Sequence, residues 1–262
     1  MRAASRIRDE GDADVLSWEN TSFEIAEARV DLAILPIGAI EQHSHHLPIG
    51  TDWLGAQAVA RAAAERLGAF LLPALPYSNS QEHQAFAGTI WLRPETLARV
   101  VVDIINSLAR QGIRRVVIIN AHGGNWILKP TVRELNLSRD DVLVLWAGAE
   151  VLTRGAAAVP ELHSGEGETS RMLHLHPELV KLDRAVDARP DVTSEYLDYV
   201  GVGGVSPDGP WGQPTKATAA YGRELFERSV ENLVNYVRET LARVEPIRAR
   251  GDHQRTPRQP PV

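Results

Sequence analysis

The sequence contains no cysteine. That absence removes disulfides, thiolate zinc sites and a cysteine nucleophile together, so any metal here must be bound by His, Asp and Glu. Positive charge is not in excess either: 28 Lys and Arg against 34 Asp and Glu give a formal net charge of -6. Without a basic field to attract phosphates, neither a nucleic acid nor an anionic membrane is expected as a partner, and a small-molecule substrate is. No apolar run reaches transmembrane length, and the arginine-bearing opening MRAASRIRDEGDADV lacks the apolar segment of a signal peptide, so the expected location is cytoplasmic. A glycine-rich phosphate loop of the G-x-G-x-x-G or Walker type is missing after the first strand, which removes a nucleotide-binding reading.

What is present is a chain of 262 residues, 44% hydrophobic, enough for the core of one large α/β domain. Short apolar runs at 31–40, 69–77, 114–124 and 141–148 alternate with stretches of helical period at 52–68, 93–112, from 165 onward, and about Glu224 to Val244. That alternation predicts a mostly parallel sheet covered by helices. The domain is expected over 15–246, with an N-terminal extension at 1–14 and a polar, proline-rich, flexible tail at 247–262, a segment with little to bury.

In such a sheet the ligand site lies beyond the carboxyl ends of the strands. EQHSHH follows the first strand, NAHGGN the third and ELHSGEGETS the region of the fourth, so three loops bearing His and carboxylates converge on one rim. Glu41 and His43 are two apart and leave an extended segment on the same side. Asp52 stands where the next helix begins, so it either caps that helix or bridges two metal ions with its two oxygens. His122 follows the third strand, and Gly123 and Gly124 let the backbone approach a bound group. In the third loop, Glu168 reads as a first-turn residue of the helix beginning there, which leaves Glu166 as the better ligand. Glu82 and His83, after the second strand, are candidate substrate contacts. His45 and His46 follow His43 too closely for all three to bind one ion. His174 and His176 read as surface or packing residues, and Trp91, Trp126, Trp146 and Trp211 as core or interface, with Trp211 a candidate for a mobile loop at the pocket mouth.

Together, LPIGAIEQHSHHLPIGTD, NAHGGN and HSGEGETS resemble the three motifs of the creatininase family of metal-dependent amidohydrolases. YSNSQEHQAFAGTIWL and PTKATAAYG are also similar to it, so the resemblance spans roughly 15–240. It implies a three-layer α/β/α sandwich, a homo-oligomer, often a hexamer, and Glu41, His43, Asp52 and His122 as metal ligands. One departure matters. Where creatinine-hydrolysing members follow the motif-two histidine with a tyrosine and a metal-binding glutamate, this chain has Gly123 and Gly124. Members with this glycine form bring a glutamate from the third motif, a place that falls on Glu166. The family's tryptophan and glutamate just before that motif are also missing, since Val159, Pro160, Glu161 and Leu162 stand there. Creatinine is therefore not the expected substrate.

The expected mechanism uses two divalent ions per subunit, zinc, manganese or iron. Bridged by Asp52, they lower the pKa of a shared water and polarise a carbonyl. His163, the position of the family's catalytic histidine, carries the proton to the leaving nitrogen, unless it is only a supporting residue. The reaction expected is hydrolysis of the C–N bond of a small cyclic amide, a formamide or a terminal peptide amide. Two alternatives stand beside it: hydrolysis of a cyclitol-ring C–C bond, also found among relatives, and a non-catalytic metal- or ligand-binding protein, which would favour a closed four-ligand set instead.

Overall fold

Strand β1, Leu32–Ile37, is apolar along its whole length and buried throughout, the pattern of a strand covered on both faces. The computed structural model describes residues 15–156 and 161–251. The expected extension at 1–14, the 157–160 segment with Val159 and Pro160, and 252–262 of the expected tail lie outside the described residues.

Beside β1 run β2, Phe70–Leu71, and β3, Arg115–Asn120, and β4, Leu143–Ala147, lies outside β3. All pairings are parallel, in the order β2-β1-β3-β4. The expected strand at 69–77 is regular over two residues only, because Pro73 and Pro76 have no N–H to offer a ladder. The chain still tracks β1: Leu72 N–H donates to Ile34 O at 3.0 Å and Leu75 N–H to Pro36 O at 2.9 Å.

Eight helices are assigned among the described residues: α1 Ser22–Ala28, α2 Thr51–Leu67, α3 Pro94–Arg110, α4 Leu128–Ser138, α5 Ala149–Leu152, α6 Glu166–Leu175, α7 Leu197–Val205 and α8 Ala219–Ala249. Alternate strand residues feed two cores. Ile34, Val117 and Ile119 pack with Ala60 and Ala63 of α2 and Leu233 and Val234 of α8. Leu35, Val116 and Ile118 pack with Val101 and Ile105 of α3 and Leu128 and Val132 of α4. The result is the expected α/β/α sandwich.

Helix α8 is longer than its pattern suggested. Thr218 caps its start by accepting from Tyr221 N–H at 3.1 Å, and it continues past Pro246, a residue that reads as a stop. Arg248, assigned to the tail from sequence, lies inside it and donates to Asn136 O at 2.9 Å and Arg139 O at 2.7 Å. Helix α4 was not anticipated because Pro130 interrupts its pattern, although proline is tolerated in a first turn.

Candidate metal centre

Beyond β1 the chain turns at Gly38, where a Cβ would sit 2.5 Å from Trp53 Cα and N. That close approach sets the first turn of α2, and with it Asp52, against the loop carrying Glu41 and His43. Glu41 N–H donates to Ile49 O at 2.9 Å, and Gln42 N–H to Thr89 Oγ1 at 3.1 Å. Asp52 does not cap α2, whose N-cap residue is Gly50 with no side-chain bond. Its oxygens divide instead: Oδ1 lies 3.2 Å from His43 Nε2 and Oδ2 3.3 Å from His122 Nδ1. His163 is fixed by a two-way backbone bridge to Trp211, His163 N–H to Trp211 O at 3.2 Å and Trp211 N–H to His163 O at 2.7 Å. Trp211 is therefore an anchored wall residue of the cavity at this site.

Three overlapping sets bring their ligand atoms within 4.8 Å of one another: Glu41, Asp52 and His122; His43, Asp52 and Glu168; and Glu41, His43 and His163. Asp52 joins the first two, as a bridging carboxylate would.

Glu166, the ligand expected from the third motif, is in none of these candidate sets, and Glu168 stands in its place. Helix α6 begins at Glu166, and helical positions two apart point in nearly opposite directions. Glu168 is the one turned inward, with Oε2 accepting from Ser164 N–H at 2.6 Å and lying 3.7 Å from His43 Nε2. Its place in a first helical turn, which had suggested a mere terminus residue, is what aims it. Glu161 instead accepts from Gly167 N–H at the same helix start, at 3.0 and 3.1 Å.

The outer partner of each imidazole fixes its tautomer. His43 Nδ1 meets Glu41 O at 3.2 Å, His122 Nε2 meets Asn79 O at 2.9 Å, and His163 Nε2 meets Gln42 O at 2.8 Å. A carbonyl only accepts, so in each neutral ring the outer nitrogen carries the hydrogen and the inner one a lone pair. Those lone pairs face the carboxylates of Glu41, Asp52 and Glu168. Lone pairs aimed at carboxylates repel unless a metal ion, or a second proton on the ring, lies between them, so the donor set of imidazoles and carboxylates fits a divalent metal. Glu41 Oε2 is buried, and its 3.0 Å neighbour, the inner Nδ1 of His122, offers it no hydrogen while that ring is neutral.

The electrostatics agree. Burial disfavours charge on His43, yet Asp52, Glu168 and Glu41 raise its pKa to about 10. His122 is likewise raised, against its burial, chiefly by Glu41 and Asp52. Burial raises the Glu41 carboxyl, whereas Asp52, despite burial, is driven down by His43 and His122. The centre thus stabilises positive charge at the points where the inner nitrogens lie. His163 behaves oppositely: burial, then repulsion from His43, lowers it to about 4.

Sequence reasoning had Glu82 and His83 on the rim, and both line a cavity of about 920 Å³ that also takes in Trp126, Asp198, Tyr199 and Trp211. Glu82 Oε1 lies 3.3 Å from the outer Nε2 of His122, the arrangement that holds a metal-binding imidazole in place. This explains Gly124. A Cβ there would overlap Glu82 Oε1 and fall 2.5 Å from Asn79 O, so a side chain at 124 and Glu82 exclude each other. Asn79 and Gln42, whose carbonyls set two tautomers, carried no sequence signal. Of the spare histidines, His46 Nε2 meets Thr169 Oγ1 at 2.9 Å and His45 Nε2 meets Asp208 at 3.3 Å on the surface. His174 packs on Phe226 and His176 pairs with Glu178.

Comparison with known proteins points the same way. A family model described as creatininase, creatinine amidohydrolase, matches residues 18–237. The chain is 36% identical over 217 residues to the mycofactocin precursor peptide peptidase of Mycobacterium ulcerans (strain Agy99), covering 78% of this chain and 83% of the relative. To the creatinine amidohydrolase of Pseudomonas putida it is 32% identical over 248 residues, covering 86% and 95%. A solved structure described as "Creatininase Mn" superposes with a TM-score of 0.75 at 29% identity, covering 86% of this chain and 98% of that one.

Proposed function

The chain belongs to the creatininase family, and on that premise we propose that it is a divalent-metal-dependent amidohydrolase acting on the C–N bond at the end of a short peptide or of a comparable formamide or cyclic amide. The observation that carries this reading is the set of three imidazole lone pairs turned toward three buried carboxylates.

Glu41, Asp52 and His122 would hold one ion, and His43, Asp52 and Glu168 the other. Bound there, zinc, manganese or iron supplies an acidified water and a polarised carbonyl. The protein's own groups do the rest. Glu82 and Asn79 O hold His122 in the Nε2–H tautomer, and Glu41 O does the same for the Nδ1–H of His43. His163 keeps its Nδ1 lone pair turned inward, 3.7 Å from Glu41 Oε1, and is held neutral by burial. Its inward lone pair is placed to take the water's proton, and its low basicity favours passing that proton on to the leaving nitrogen. Trp211, Leu162 and Val202 give the cavity an apolar side beside these polar groups.

A cavity of about 920 Å³ exceeds what one small ring fills, which favours a peptide end over creatinine. The assay is to load the protein with manganese or zinc and offer creatinine, an N-formylated aminopyrimidine and a series of short peptides. Release of amine from peptides above the other two supports this reading; no hydrolysis of any of them contradicts it.

A further inference from the structure

One histidine of the centre is wired the other way round. Gln42 Oε1 accepts from Ser44 N–H at 2.8 Å, which settles the orientation of its amide. Its Nε2 is then the donor that meets His83 Nδ1 at 2.9 Å, with Gly209 O at 3.4 Å as a second acceptor. Gly209 confines the amide, since a Cβ there would overlap Gln42 Oε1. Because Nδ1 of His83 accepts, its hydrogen is on Nε2. That Nε2–H faces inward, 3.4 Å from Glu41 Oε1. The other three rings present lone pairs to the centre; His83 presents a hydrogen. It is buried, lines the cavity and lies 4.5 Å, centroid to centroid, from His163.

We propose that His83 is a catalytic residue, a neutral Nε2–H donor locked in that tautomer by Gln42, which stabilises the oxyanion formed when water adds to the substrate carbonyl. The proposal rests on the amidohydrolase reading above. Paired imidazoles of the same Nε2–H tautomer but opposite orientation divide the work: His163 turns its Nδ1 lone pair inward and His83 its Nε2–H. In the addition step the water oxygen bonds to the carbonyl carbon, the water proton goes to Nδ1 of His163, and the C=O π pair moves onto oxygen, which takes the hydrogen bond from His83. On collapse the C=O reforms, the C–N bond breaks with its pair on nitrogen, and that nitrogen takes the proton from His163. His83 neither gains nor loses a proton. A donor aimed at charge that develops only in the transition state acts on kcat more than on KM.

The test replaces Gln42 with a residue that can only accept. In metal-loaded protein with 15N-labelled histidine, long-range 1H–15N correlation should find His83 as the Nε2–H tautomer, and Gln42→Glu should convert it to Nδ1–H. On the best amide substrate of the panel, Gln42→Glu should lower kcat about 10²- to 10³-fold, with KM and metal content unchanged. A second pair covers a Gln42→Glu that fails to fold: His83→Gln, which keeps an N–H donor, should retain at least tenfold more kcat than His83→Leu. A wild-type His83 bearing its hydrogen on Nδ1, or equal kcat in the two His83 variants, overturns the proposal. A wild type inert toward the whole panel instead removes the amidohydrolase reading, and this role with it.

Discussion

Oε2 of Glu168 reaches to 3.7 Å from Nε2 of His43, across the gap between the first turn of α6 and the loop after β1. Asp52 lies on the same nitrogen at 3.2 Å, so these two carboxylates and one imidazole make a second candidate ligand set beside that of Glu41, Asp52 and His122. Glu168→Gln should therefore lose about one of two metal equivalents. Glu166→Gln should keep both, because its side chain belongs to no ligand set. Metal analysis by mass spectrometry on both variants separates the two positions; equal loss would return Glu166 to the centre.

Asp52 is shared, so Asp52→Asn should weaken both ions at once. Losing one second-sphere partner typically costs 10- to 100-fold in metal affinity, and loss of a bridging ligand should exceed about 100-fold at each site. Isothermal titration of metal into the metal-free variant measures this, and loss confined to one site would show that Asp52 does not bridge.

The metal-free protein should be most stable near pH 6.5. His43 has a folded pKa of about 10, above its unfolded value of about 6.5, so its contribution is complete below 6.5 and disappears as pH rises toward 10. His163 and His46 are lowered to about 4. Their unfolded forms take up protons as pH falls from 6.5 toward 4 while the folded forms resist, and stability is lost in that direction too. Melting temperatures in chelator at pH 4.5, 6.5 and 9.5 should peak at the middle value. With metal bound, the lone pair of His43 is occupied and the decline above 6.5 should vanish.

Gly124→Ala should destabilise by about 1–3 kcal/mol, the usual cost of overpacking, and should lower metal affinity because Glu82 is pushed from His122. Gly123→Ala, whose Cβ would meet nothing within 4 Å, is the control and should behave as wild type in urea unfolding and metal titration.

The sandwich, and the rim on which the candidate ligands lie, were legible in the sequence for a physical reason. A doubly covered parallel sheet writes its strands as unbroken apolar runs, and the loops leaving them are where ligands gather. Glu41, His43, Asp52 and His122 could be located that way. Glu168 could not be separated from Glu166, because one residue of helix phase decides which carboxylate turns inward, and that phase depends on where α6 starts. The carbonyls of Asn79 and Gln42, which fix the tautomers, carry no side-chain signature at all. Two helices carry prolines inside their spans. Pro130 sits in the first turn of α4, which the sequence pattern did not mark, and α8 runs past Val244 and Pro246, where Arg248 ties its last turn to the end of α4.

The most direct measurement is anomalous diffraction at the zinc edge from crystals of the wild-type protein soaked in zinc. The account predicts two peaks, one bound by Glu41, Asp52 and His122 and the other by His43, Asp52 and Glu168, with ligand distances of about 2.0–2.2 Å. No peak at these residues, with zinc bound elsewhere or not at all, would contradict it.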